Sequence, residues 1–103
     1  MDKEKGEIVS VPEMEECADG TKYWYLNGIL HRTDGPAIED SDGSKYWYLN
    51  GERHRTDGPV IEDSNGMKEW YLNDKQVTWF EVYCFNLRTG DIQAAERILA
   101  IPK

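Results

Sequence analysis

Residues 19–41 and 42–64 are two copies of one 23-residue unit. They align without a gap and differ at four positions: Thr21/Ser44, Ile29/Glu52, Leu30/Arg53 and Ala37/Val60. A third unit begins at Asn65, keeps Lys68, Trp70, Tyr71, Leu72 and Asn73, and then departs from the pattern. Ahead of the first copy, Pro12–Gly20 resembles Pro36–Gly43 with one extra residue and reads as a half-unit. Self-similarity at this period predicts a stacked array in which each unit covers its neighbour and the ends are atypical.

Inside a unit, "KYWYL" is aromatic and bounded by turn residues, which reads as a strand with Tyr23 and Tyr25 on one face and Trp24 and Leu26 on the other. A shorter strand follows Pro36 through Ala37-Ile38-Glu39. Asp42-Gly43 and Asn65-Gly66 supply positive-φ turns into the next unit. Two strands per unit, joined by the loop "NGILHRTDG", are expected; a hairpin closed at Asn27-Gly28, giving three, is the alternative. Stacking is expected to align Trp24, Trp47 and Trp70 as one ladder, the second tyrosines Tyr25, Tyr48 and Tyr71 as another, and Leu26, Leu49 and Leu72 as a third. The variable pair after Asn-Gly is then expected to face solvent.

Beyond residue 77 the period changes. Phe80, Tyr83, Cys84 and Leu87 fall at helical spacing, and Thr78 with Glu81 makes a capping box. Thr89-Gly90-Asp91 ends this helix and caps a second, with Ile92, Ala95 and Leu99 on one side. The predicted fold is mainly β: an antiparallel β-hairpin repeat sheet with a C-terminal helical cap, in a single domain spanning 1–103. Repeats occupy 8–77 (units 19–41, 42–64 and a partial 65–77) and helices 78–101. An open sheet exposes an edge and an apolar face, so the tail reads as a lid over one of them.

Charge narrows the partners. The net charge is −8, the isoelectric point about 4.7 and the mean hydropathy −0.76. Phosphate backbones and anionic lipid require clustered Lys and Arg, so neither nucleic acid nor a membrane surface is an expected partner. A protein with a basic surface is. The charged start "MDKEKG" is expected to fray. The N-terminus has no apolar signal core, and a soluble, cytoplasmic protein is expected. Cys17 and Cys84 lack metal or disulfide spacing and read as reduced thiols, with Cys84 in a core.

Two recurring groups are candidate binding residues. His31-Arg32-x-Asp34 returns as His54-Arg55-x-Asp57, and two such loops side by side would make a polar surface. The structural alternative has Asp capping the turn before Gly-Pro, Arg pairing with a carboxylate and His packing on an aromatic ring. The acidic pairs Glu39-Asp40 and Glu62-Asp63, with Glu15-Glu16 before them, recur in the short strands and predict an acidic stripe. That stripe either blunts the sheet or docks on a basic groove. Catalysis is not expected, because an active site is one asymmetric constellation and these histidines belong to a repeated unit. No glycine-rich phosphate loop or Asp-Phe-Gly accompanies His-Arg-Thr-Asp, which separates it from a kinase catalytic loop. No cofactor or metal is expected.

The run Asp-Gly-x-x-Tyr, an aromatic, then Asn-Gly-x-x-His and a later glycine resembles the membrane occupation and recognition nexus (MORN) repeat over about residues 19–73. The resemblance implies an elongated sheet of β-hairpins serving as a scaffold or protein-binding platform. Arg32 and Arg55 stand where that family has glycine. The variant "YLNGxxHRxDGPA" is similar to a subgroup found in bacteria and phages, which implies a phage-encoded inhibitor of a bacterial host defence complex. A weaker likeness links "KYWYLNG" to choline- and glucan-binding cell-wall repeats. The rival functions are therefore a small-molecule or nucleotide-binding repeat and a cell-wall amine binder.

Overall fold

The computed structural model describes residues 11–102. The charged start at residues 1–6 and the first residues of the 8–77 repeat region lie outside them. The strands are β1 (Glu13–Glu16), β2 (Lys22–Leu26), β3 (Ile29–Leu30), β4 (Ile38–Glu39), β5 (Lys45–Tyr46), β6 (Tyr48–Leu49), β7 (Glu52–Arg53), β8 (Ile61–Glu62), β9 (Lys68–Leu72) and β10 (Lys75–Val77). Helices α1 (Trp79–Thr89) and α2 (Ile92–Ala100) follow. The antiparallel sheet runs in the order β1-β2-β4-β5-β8-β9-β10, with β3 paired to β2 and a β6–β7 hairpin continuing β5.

The first full unit therefore has three strands, not the expected two, and the second has the same three with its long strand divided at Trp47 into β5 and β6. Asn27 and Gly28 sit at φ 51° and 82°, Asn50 and Gly51 at 52° and 81°. Two consecutive left-handed residues are what a two-residue hairpin needs, since its twist then matches the strands. The third unit repeats the turn with Asn73 and Asp74 at 49° and 69°.

The register separates the faces. One row reads Glu16, Lys22, Glu39, Lys45, Glu62, Lys68, alternating in sign from strand to strand. The next row on the opposite face reads Tyr23, Ile38, Tyr46, Ile61, Glu69. Trp24 donates its backbone N–H to Ala37 O and Trp47 to Val60 O, both at 2.8 Å, so the short strand of each unit lies between successive tryptophans. The tryptophans recur on every second strand, and among the described residues no ring pair joins Trp24, Trp47 and Trp70. The expected ladder is thus interleaved with small apolar residues: Ala37 and Val60 are fully buried. The short strand between them holds neighbouring Trp strands about two strand spacings, ~10 Å, apart, which prevents ring-on-ring contact.

The tail forms the predicted cap. Thr78 and Glu81 complete the capping box, Gly90 closes α1 at φ 86°, and the Asp91 carboxylate accepts the Ala94 N–H at the start of α2. Trp70, Val82 and Ile98 are buried together, flanked by Leu72, Val77, Trp79, Tyr83 and Ile101. The helices are rotated relative to the expected stripes. Val82 and Asn86 of α1 and Ala94, Ala95 and Ile98 of α2 are buried, while Phe80, Leu87, Ile92 and Leu99 are about half exposed. Asn86 reaches back to donate its amide to Thr56 O at 2.7 Å, which turns that side of α1 toward the repeats. Cys17 is exposed and Cys84 half-buried, both as free thiols. No helix is long and apolar enough to cross a membrane among the described residues.

Candidate functional site

The His-Arg-x-Asp loops follow the hairpins of β3 and β7, and each is organised by its arginine. The Arg32 guanidinium lies 3.8 Å from the Trp24 ring centroid, and Arg55 lies 3.8 Å from that of Trp47. Arg32 Nε donates to Asp34 Oδ1 at 3.0 Å, and Nη1 to Pro36 O and Glu39 Oε2 at 3.0 and 3.1 Å. Arg55 repeats the set on Asp57, Pro59 O and Glu62 at 2.9, 2.9 and 3.0 Å. Stacking and ion pairing use different parts of the same planar group, a combination lysine cannot supply. The glycine before proline follows from this arrangement: a Cβ on Gly35 would meet Arg32 Cζ at 2.9 Å, and one on Gly58 would meet Arg55 Cζ at 2.5 Å.

The histidines link units. His31 Nδ1 accepts the Asn50 N–H, and His54 Nδ1 accepts the Asn73 N–H, each at 2.9 Å. Each thus anchors the hairpin turn of the next unit, where packing on an aromatic ring was expected. The backbone offers a donor at that point, and only an unprotonated Nδ1 accepts it. Burial lowers the His54 pKa from its ordinary value, with the Glu52 charge pulling weakly the other way.

The acidic pairs do not form one stripe. Glu39 and Glu62 are ion-paired to Arg32 and Arg55 and sit in the row that alternates with lysines. Asp40 and Asp63, one residue on, belong to the turns: Asp40 Oδ1 accepts the Thr21 hydroxyl at 3.3 Å, and Asp63 Oδ1 accepts the Asn65 N–H at 2.9 Å. Asp19 and Asp42 correspond to each other, directly before the turn glycines, and accept the Thr21 and Ser44 N–H groups. Backbone N–H bonds from Thr21 and Ser44 hold both carboxyls below the ordinary aspartate range. Asp19, Asp40, Asp42 and Asp63 thus recur along the Asp-Gly and Asn-Gly turns between units with no ion-pair partner among the described residues, and of the four Asp19 and Asp42 are exposed.

Three contacts escape sequence reasoning. Arg53, in the variable pair, stacks 4.4 Å from the Tyr71 ring centroid and pairs with Asp74 at 2.6 Å, clamping the second unit to the third. That position faces the next unit and is not a free solvent position; its change from Leu30 to Arg53 beside Asp74 was the available signal. The Asn86 and Arg97 contacts to the second loop have no sequence signature, because their partners lie 30 and 40 residues away.

The two loops do come together. Arg32–Gly35, His54–Asp57 and the start of α2 enclose a groove of about 600 Å³, with Trp47 and Leu49 among its apolar lining. Burial alone would raise the Asp57 pKa, but hydrogen bonds and charge from Arg55 and Arg97 outweigh it and lower the carboxyl. Among the described residues no group of three His, Cys, Asp or Glu side chains is placed to hold a metal ion. Comparison with protein-family models, curated proteins and solved structures finds no match to this chain.

Proposed function

We propose that the chain is a non-catalytic binding module that associates, in the cytoplasm, with a protein bearing a basic surface. One observation carries this reading: turn aspartates with no ion-pair partner among the described residues recur from unit to unit, whereas the strand carboxylates Glu39 and Glu62 are each matched by a loop arginine. Glu39 and Glu62 are neutralised by arginine. The turn aspartates have no such partner among the described residues, and Asp19 and Asp42, anchored by backbone N–H groups, stay ionised well into acid. Such a row steers a basic partner from a distance. The engagement of both histidines with backbone N–H groups supports a structural role for them in place of proton transfer. The resemblance to phage-borne repeats supports a narrower form, in which the partner belongs to a bacterial host complex and binding blocks it.

The test takes a partner recovered from bacterial lysate and measures association at low and high salt. Association is expected to slow as salt rises. Asp19→Asn with Asp42→Asn should slow it further while keeping the turn acceptors, whereas Glu39→Gln with Glu62→Gln should leave the rate nearly unchanged. Salt-independent association, indifferent to the turn aspartates, overturns the reading.

A further inference from the structure

The two repeats differ in what covers their loops, and the covered one shows how the other is used. In the second unit Asp57 accepts two arginines: Arg55 Nε on Oδ1 at 2.9 Å from its own loop, and Arg97 Nη1 on Oδ2 at 3.1 Å from α2. Beside it, Thr56 O accepts the Asn86 amide of α1 at 2.7 Å. In the first unit Asp34 accepts Arg32 Nε on Oδ1 at 3.0 Å. Its other oxygen and Thr33 O meet no protein donor among the described residues. The Asp34 side chain is 84% exposed, against 36% for Asp57. The repeat thus offers the same carboxylate oxygen and the same carbonyl twice, and the chain's own helices answer only the second.

We propose that Thr33 and Asp34, at the mouth of the groove, form a docking site for an arginine-bearing segment of a partner protein, which reproduces on the first loop the contact that Arg97 makes on the second. This rests on the reading of the chain as a binder of basic proteins and gives that binding its point of contact. Charge decides the occupant. The groove's arginines, Arg32, Arg55 and Arg97, are already matched by Asp34, Asp57, Glu39 and Glu62, so an anion finds no unmatched cation there. A guanidinium finds a carboxylate with one oxygen committed, Asp91 across the groove, and the apolar Trp47 and Leu49 for its methylene stem. Arginine fits better than lysine because its planar fork can address the carboxylate and the neighbouring carbonyl together.

The probe is N-acetylarginine methylamide, with the neutral isostere N-acetylcitrulline methylamide as control, titrated into the full chain and followed by ¹H–¹⁵N spectra. Saturable shifts are expected at Thr33, Asp34 and Gly35 and at the Trp47 indole, with citrulline producing none. Asp34→Asn keeps the acceptor for Arg32 and so the fold. It should weaken binding by about fivefold, the upper end for an exposed ion pair. Glu13→Gln, at an exposed carboxylate on β1 outside the groove, should leave the affinity unchanged. Arginine shifts that follow the turn aspartates and survive Asp34→Asn would overturn this site while leaving the broader reading intact. Equal binding of citrulline, or no shift in the first loop, overturns the site as well. The broader reading fails separately, on salt-independent association with the recovered partner.

Discussion

The first two units and the third hold the same tryptophan and cover it in different ways. Trp24 and Trp47 lie under a guanidinium from their own unit and remain half-buried. Trp70 belongs to a unit that has lost the His-Arg-Thr-Asp-Gly-Pro stretch, and it lies under two helices with 8% of its surface exposed. A guanidinium covers a ring while its own hydrogen bonds stay satisfied near solvent, so that cover can be repeated without limit. The helices bring Val82 and Ile98 and make the only three-residue buried apolar cluster resolved among the described residues. The repeats thus supply a periodic scaffold, and the cap supplies the conventional core that ends it.

The most severe way to break this comparison is to remove the second kind of cover. Ending the chain at Val77 uncovers Trp70 and Leu72, and the expected product aggregates or unfolds without a cooperative transition in urea. A monomeric fragment with a sharp transition would mean that the guanidinium-covered units are self-sufficient.

Side-chain truncation sharpens the comparison. Trp70→Ala should cost about 3–5 kcal/mol, because it empties a buried position. Trp47→Ala should cost less, about 2 kcal/mol, since its ring already keeps part of its surface in water. Equal urea midpoints for the two variants would erase the distinction between the covers.

Arg55→Lys tests the guanidinium cover directly. Lysine retains the charge but cannot stack on Trp47 while bonding Asp57, Glu62 and Pro59 O together, so a loss of about 2 kcal/mol is expected by chemical denaturation. A neutral outcome would show that charge alone holds the loop.

The smallest expected effect is a pH dependence at the joint between the two regions. His54 accepts the Asn73 N–H, and its folded pKa lies below the unfolded value near 6.5. Below that value the unfolded chain takes the proton first. The contribution is therefore complete above about pH 6.5 and is lost as pH falls toward the depressed folded pKa. Asp57 and Asp74, also lowered, lose their contributions only in the acid range below the ordinary aspartate value. Thermal midpoints between pH 7.5 and 5.5 should fall in the native chain and flatten in His54→Asn, whose amide oxygen accepts the same N–H without titrating.

The comparison of Asp34 with Asp57 has the same form. One repeat residue is completed from within the chain and its copy is left at the surface, and only the folded tail distinguishes them.

The sequence by itself determined the β-hairpin array, its 23-residue period, the turn glycines and the capped helical tail. Each of these rests on local chemistry: left-handed turn residues, aromatic alternation, a Thr-x-x-Glu box. It also singled out the His-Arg-x-Asp loops and the arginine–carboxylate pairing within them, because those partners lie two and seven residues apart. The tertiary structure decided the rest. Antiparallel pairing placed Ala37 and Val60 between the tryptophan strands and set Glu39 and Glu62 against lysines, which dissolved the acidic stripe. The histidines turned to the next unit because its hairpin presents an N–H there. The inward side of α1 carries Asn86, which meets Thr56 O, and the fate of Asp57 depended on Arg97. These contacts join groups 30 and 40 residues apart. Such pairs leave no local pattern in the chain, because they exist only once the sheet has positioned one partner and the cap the other.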